Sequence, residues 1–531
     1  MTSNVLDAAQ SAISSSNGGS YEEQDFRALY EREYHAHQRT QTELARVRNH
    51  AQYLESKITK LEGDIALLKK LLFSRNDEKR PIVLPPASVP EASTKKHGAQ
   101  PGHPAHTRKI PYHLPTREVL HALPSAVCSC CGLPLQELHS DEVSYEVTLE
   151  SQYTLIRHRR KKYRKTCHCP QPLVTAPAPP KLFPGGLYSM EFWIQVLVDK
   201  YAFGMPLERQ ASKMQTENLT VSTGVLCDGL QKTVALLEPL YELMLQNIAF
   251  EKLIHADETR WWNWAACYQQ DAALKQHWLW GFFSASYHVF VISPSRGANV
   301  VKDALGQGEQ QTIVPIIVCD RHKAYRCANT LAYCWAHVRR DFLNLQTKYP
   351  NDKAVVEWAQ TWLQLIQDLY ALHALRLQQR DKALQCDAYQ KQLQTTLDSM
   401  QPLMDARHDH PAQIAQSKSM REHWVGLTRF LDDPEIPLDN NLAERGLRTP
   451  VVGRKNYYGT HSDQSTRATA IAYSILSTCK LHRLDPKKFL LRYLTAQIPR
   501  QGAPPQGTHA NLQDCLPHRY AQIHPEDQMP K

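Results

Sequence analysis

Two apolar, β-branched runs in this chain each stop at an aspartate: KLIHAD ends at Asp257 and TIVPIIVCD at Asp320. Runs of this length and make-up read as buried strands, and a charge is tolerated only where such a strand leaves the core. Each aspartate is therefore expected at the edge of a sheet. Between them, HWLWGFFSAS and YHVFVISPS flank a short turn as a hairpin, and NVVKDALG reads as a helix.

Hairpin, helix and returning strand is the order of a ribonuclease-H-like sheet, in which the first and fourth strands are adjacent. On that topology the two aspartates become neighbours although they lie 63 positions apart. A third acid comes from the stretch 439–459, DNNLAERGLRTPVVGRKNYYG. It puts Glu444 on a short helical segment capped by Asp439 and Asn440, followed by Arg448, Arg454 and Lys455. An acid among cations points to phosphate chemistry. Three carboxylates can hold two Mg²⁺ (or Mn²⁺) ions about 3.5 to 4 Å apart, one activating water or a DNA 3′-hydroxyl and one stabilising the leaving oxygen. Asp257 and Asp320 are expected to bridge the metals, with Glu444 a ligand to the second. Arg448 and Lys455 would bind phosphates near the scissile bond, and Arg454 is expected to contact DNA with them. LAYCWAHVRRDF supplies a strand and a helix with Arg339 and Arg340 as further DNA contacts; His337 on it is a lesser candidate for orienting water or DNA.

The other regions read as equipment for bringing DNA to that site. At 531 residues the chain needs several domains. Residues 1–20 are small and polar and expected to be disordered. Within 21–75, Leu44, Val47, Ala51, Leu54, Ile58, Leu61, Ile65, Leu68 and Leu72 alternate by three and four. That is a four-heptad coiled coil favouring a parallel homodimer, or else one amphipathic helix docked on its own domain. A Pro- and His-rich linker covers 76–115. In 116–180, Cys128 and Cys131 and, later, Cys167 and Cys169 make two knuckles for a structural Zn²⁺, with Cys130 and His168 as alternative donors. Between the knuckles, RHRRKKYRK at 157–165 holds seven Arg or Lys and no acid, which gives Arg159, Arg160, Lys161, Lys162 and Arg164 a local potential suited to a phosphate backbone. Residues 181–245 suggest a helix-turn-helix with its turn near Asn218 and its second helix opened by Ser222 or Thr223. The catalytic core would then occupy 250–344 and 437–465, interrupted by an all-α insertion at 345–436 whose aromatic stripe, Trp358 and Trp362 included, is core. C-terminal helices and an irregular tail would fill 466–531. The fold class is thus multidomain α+β. The thirteen cysteines do not form a secreted framework, and neither a signal peptide nor an apolar span is present, so a cytoplasmic, nucleoid-associated protein with no membrane contact is expected.

At these residues the chain resembles a known family. HADET at 255–259, CD followed by AY at 319–325, CWAHVRRDF at 334–342, and NNLAERGLR with GRKNYYG at 441–459 are similar to the large transposases of the insertion-sequence-66 family. The resemblance implies a DDE transposase that cuts and joins double-stranded DNA at element ends, with Asp257, Asp320 and Glu444 in the positions of its triad, and two small companion proteins. Arg321, His322 and Lys323 depart from the small residues the family usually has after the second acid. A nuclease of the same fold, or a silent DNA-binding descendant, are the alternatives.

Overall fold

The computed structural model describes residues 21–73, 153–159, 161–164, 173–175, 181–264, 275–306, 314–379, 383–497 and 512–529. The chain divides into two compact units: Met1–Pro85 with Lys181–Pro206 and Gly229–Lys531, and Pro86–Pro180 with Leu207–Asp228. The first elements are helix α1 (Tyr21–Phe73), strands β1 (Lys162–Arg164) and β2 (Leu173–Thr175), and helices α2 (Met190–Tyr201), α3 (Leu207–Thr216), α4 (Thr223–Ala235) and α5 (Glu238–Ile248). Then come β3 (Leu253–Asn263), β4 (Lys275–Phe283), β5 (His288–Ser293), α6 (Ala298–Leu305), β6 (Ile316–Cys319) and β7 (Thr330–Tyr333). Helices α7 (Trp335–Lys348), α8 (Lys353–Gln378), α9 (Ala383–Asp405), α10 (Pro411–Thr428), α11 (Asn441–Tyr457), α12 (Asp463–Leu481), α13 (Pro486–Gln497) and α14 (Pro517–Ile523) complete the chain.

In the smaller unit β1 and β2 pair antiparallel, Lys162 opposite Thr175. Arg159 and Lys161 are exposed. Arg160, Cys128, Cys131, Cys167 and Cys169 lie outside the described residues. After α3 the chain reverses at Asn218, whose φ of 63° is in the left-handed region that asparagine tolerates. Ser222 then caps α4, its Oγ accepting from the Val225 amide at 3.3 Å. The turn and the second helix stand where the sequence put them. Ahead of the turn the chain forms two helices, α2 and α3, separated at Gly204, at φ 68°, and Pro206, which has no amide hydrogen.

In the larger unit a five-stranded mixed sheet has the order β5-β4-β3-β6-β7. The hairpin side is antiparallel, and β6 joins β3 in parallel, so the first and fourth strands are adjacent as expected. β5 is an edge strand with open backbone groups, a liability in any sheet. Here hydroxyls of α12 and α5 close it. Ser474 accepts from the Phe290 amide at 2.8 Å, Tyr241 donates to the Phe290 carbonyl at 2.9 Å, and Thr478 serves both backbone groups of His288. α12 is buried on nearly every face, which explains its run of Ala, Ser and Thr: only small side chains allow such close approach.

Helices α8 to α10 form the insertion, and its aromatic stripe is core. Trp362 is fully buried and stacks on Phe342 of α7, with ring centroids 5.0 Å apart. Gly426 of α10 admits the Tyr333 ring of β7, since a Cβ there would lie 2.5 Å from it. The tail differs from expectation: α14 and its flanking turns bury Leu516, Tyr520 and Ala521, and the Asp485 amide donates to the Asp527 carbonyl at 2.9 Å. Along α1, a continuous helix of 53 residues, Leu44, Val47, Ala51, Leu54, Ile58 and Leu61 face solvent. Among the described residues no helix is long and apolar enough to cross a membrane.

Candidate active site

The β3–β6 register pairs His255 with Val318. Continued by two residues, it carries Asp257 to the level of Asp320, on strands about 4.8 Å apart. Parallel partners in register point to the same face, and alternation puts His255, Asp257, Thr259 and Trp261 together on it. That face receives α11. Across the β3–β4 ladder Asp257 stands opposite Gly281. The missing side chain matters, because the buried Phe283 ring fills the space: a Cβ at Gly281 would lie 2.5 Å from that ring, and one at Gly446 of α11 would lie 2.2 Å from it. The two glycines and the ring set how closely the helix bearing Glu444 approaches the strand bearing Asp257.

Asp320 opens a tight turn, its Oδ1 accepting from the His322 amide at 2.8 Å. The turn is anchored from behind by Glu258, whose side chain is only 1% exposed. Tyr325 donates its hydroxyl to Glu258 Oε2, and Arg296 donates twice to Oε1, at 2.9 and 2.7 Å. Arg321, one of the departures from the family pattern, donates to Ser419 of α10 at 3.1 Å and pairs with Asp341 of α7. It ties the turn to the insertion.

Burial first, then the charge of Glu258, then those of Asp320 and Glu444, pushes the Asp257 carboxyl up to about 7; the Glu258 amide, donating to Oδ1 at 2.9 Å, pulls it back. His337, in the first turn of α7, has Nε2 4.0 Å from Glu444 Oε1. Its pKa is held below the usual imidazole range by burial and then by Arg340, against the opposing pull of Asp320 and Glu444. Among the described residues its buried Nδ1 has no hydrogen-bond partner. The structure thus brings Asp257, Asp320, Glu444 and His337 into one electrostatic neighbourhood. Among the described residues no three His, Cys, Asp or Glu side chains lie close enough, as they stand, to grip one metal ion. The donor set nevertheless suits one. Its oxygens are those Mg²⁺ and Mn²⁺ prefer, and a cation would relieve the negative charges that raise the Asp257 pKa.

α11 is longer than the short segment expected, and its two faces differ. Arg445, Arg448, Val452 and Lys455 recur at helical spacing and are all exposed. Arg454, on the other side, donates to Thr259 Oγ1 at 3.2 Å and to the Arg260 carbonyl, and burial lowers its pKa. It braces the helix on β3. Asn456, Tyr457 and Gly459 of GRKNYYG are anchored too. Asn456 donates to the Gly204 carbonyl at 2.8 Å, Tyr457 meets the Tyr473 hydroxyl, and Gly459, at φ 109°, passes so near Trp262 that a Cβ would lie 2.2 Å from its carbonyl oxygen. Arg340 is exposed and Arg339 half-buried on α7.

Asp439 caps as expected, accepting from the Asn441 amide at 3.1 Å. Asn440 holds the N-cap position without a side-chain cap bond; its amide reaches β3 instead. Sequence reasoning missed this role, and Glu258 as well. For Glu258 a signal existed: an acid beside Asp257 in the middle of a strand needs buried partners.

Residues 185–468 match the family model described as transposase IS66 family. Relatives include three uncharacterized proteins of Sinorhizobium fredii (strain NBRC 101917 / NGR234), each 25% identical. y4jD aligns over 82% of this chain and 91% of its own length. For y4hP the shares are 72% and 74%, and for y4qI 70% and 71%.

Proposed function

The chain belongs to the IS66 transposase family, and from that premise we propose that it is a DDE transposase working on a ribonuclease-H-like core. Asp257, Asp320 and Glu444 would hold Mg²⁺ or Mn²⁺ to cut and join DNA at the ends of its element. The observation that carries this reading is the neighbourhood itself: three acids from distant parts of the sequence, with Asp320 level with Asp257 by the β3–β6 register and the charges of Asp320 and Glu444 near enough to raise the Asp257 pKa. When bound, the metal ions activate the attacking hydroxyl and stabilise the leaving oxygen. The protein's own groups do the rest. His337, its pKa lowered by burial and its Nε2 4.0 Å from Glu444 Oε1, orients water or the 3′-hydroxyl. Arg448 and Lys455, with Arg445 between the acid and Arg448, carry the phosphate backbone away from the site along the exposed face of α11. Arg340 and Arg339 extend that surface on α7.

The remaining regions fit the same task. The basic stretch with Arg159, Arg160, Lys161, Lys162 and Arg164, the α3–α4 pair as a helix-turn-helix, and a Zn²⁺ site of Cys128, Cys131, Cys167 and Cys169 would bind element ends. The exposed heptads of α1 would pair two copies as a parallel coiled coil. The test is incubation of the full-length protein with duplexes carrying the element's terminal repeats and Mg²⁺ or Mn²⁺. Cleavage at the 3′ end followed by joining to a target strand is expected. Cleavage without joining would make it a nuclease of the same fold, and binding alone a silent descendant.

A further inference from the structure

The three acids sit on three separate pieces of chain, and one buried residue, Asn440, bonds two of these pieces directly and reaches the third through Cys334. Asn440 is 1% exposed. Its Nδ2 donates to the carbonyl of Ala256, the residue before Asp257, at 2.8 Å. Its Oδ1 lies 3.0 Å from His255 Nδ1, and because the other end of the amide is already donating, that ring nitrogen carries the hydrogen. Its backbone amide donates to Cys334 Sγ at 3.2 Å, and the Cys334 amide in turn donates to the carbonyl of Cys319, the residue before Asp320, at 3.0 Å. Finally, the Asn440 carbonyl accepts from the amide of Glu444 at 3.2 Å, as the first bond of α11.

From this convergence we propose that Asn440, with His255, is the positioning residue that sets Glu444 against Asp257 and Asp320. It rests on the reading of the three acids as metal ligands. An ordinary cap would need only an oxygen facing its own helix. Here the side chain turns away from α11 and uses both amide ends on β3, which only asparagine or glutamine can do, and glutamine is one methylene too long for the same span. Aspartate would keep the His255 contact but lose the donor to Ala256 and add a buried negative charge beside the acids. Without the amide, α11 keeps its glycine contacts with Phe283 but loses the bonds that fix its start relative to β3, so Glu444 gains freedom while the fold persists.

The experiment uses full-length Asn440→Ala and wild type, with Mn²⁺ as probe, read by calorimetry without DNA and by cleavage of a terminal-repeat duplex across a Mn²⁺ series. The expected result is a Mn²⁺ midpoint raised about 10- to 100-fold, with cleavage recovering at high Mn²⁺ and duplex affinity unchanged. A variant whose midpoint stays at the wild-type value, with plateau rate and thermal stability falling together, overturns the role for Asn440. If Asn440→Ala does not fold, His255→Phe, which removes one bond and keeps the ring, is read in the same way with a smaller expected shift. Glu444→Gln separates the two levels of argument. Wild type that binds Mn²⁺ and cuts, with Glu444→Gln inactive at every Mn²⁺ concentration, keeps the metal reading whatever Asn440 does. Wild type that neither binds nor cuts overturns both.

Discussion

The acids on strands and the acid on a helix are held in different ways. Asp257 takes its place from the backbone of β3, and Asp320 from the end of the neighbouring strand β6, whose register with β3 sets its height. Glu444 takes its place from side chains, namely the Asn440 amide, the Phe283 ring lodged between Gly281 and Gly446, and the Arg454 brace on β3. A ladder tolerates substitution of its side chains, whereas a helix docked by a few contacts does not. The helix side of the site is therefore the side where substitutions away from the acids should change chemistry.

The largest effect expected is on cleavage. Asp257→Asn or Asp320→Asn should lower it by at least about 10³-fold while gel-shift affinity for element ends stays within about twofold; cleavage that persists in either variant removes that residue from the site. The next concerns pH. The folded Asp257 carboxyl, near 7, lies above its unfolded value, so the folded state holds the extra proton and the metal-free protein loses stability as pH rises from about 4 through 7. Asp257→Asn should then be more stable than wild type at pH 8, by up to about 4 kcal/mol, with the difference vanishing towards pH 4; denaturant melts at the two pH values measure this. Equal stability at both would mean that Asp257 is not held back by its surroundings.

Gly446→Val probes the helix side. It should cost about 1–3 kcal/mol in thermal unfolding and lower cleavage further than that loss explains, because the Phe283 ring must yield or α11 must lift. Adding Phe283→Ala should restore part of the activity, and no restoration would show that the ring does not set the approach. The smallest effect separates the two faces of α11. Arg448→Ala should reduce the salt dependence of DNA binding by about one ion. Arg454→Ala should leave that slope alone and lower stability by about 1 kcal/mol.

What could be read in the sequence divides along the same line. Strands ending in acids were legible because burial needs continuous apolar runs, and the adjacency of the first and fourth followed from element order. The placement of α11 was not. Pro450 marks a stop for most helices, so the segment reads as short, and the helical phase that sets Arg445, Arg448 and Lys455 apart from Arg454 goes unread. Asn440 was illegible for another reason: the same residue type at a helix start serves equally as a cap. The folded tail, built of one short helix and single turns, has no periodicity long enough to detect.

The insertion α8–α10 separates Asp320 from Glu444 along the chain. A ribosome therefore completes the basic stretch, the α3–α4 pair and the first two acids well before the third emerges. On the function proposed, any product shortened within those helices would recognise the element's ends without being able to sever them, and would compete there with intact enzyme. Premature termination in this gene would thus make an antagonist of its own mobility.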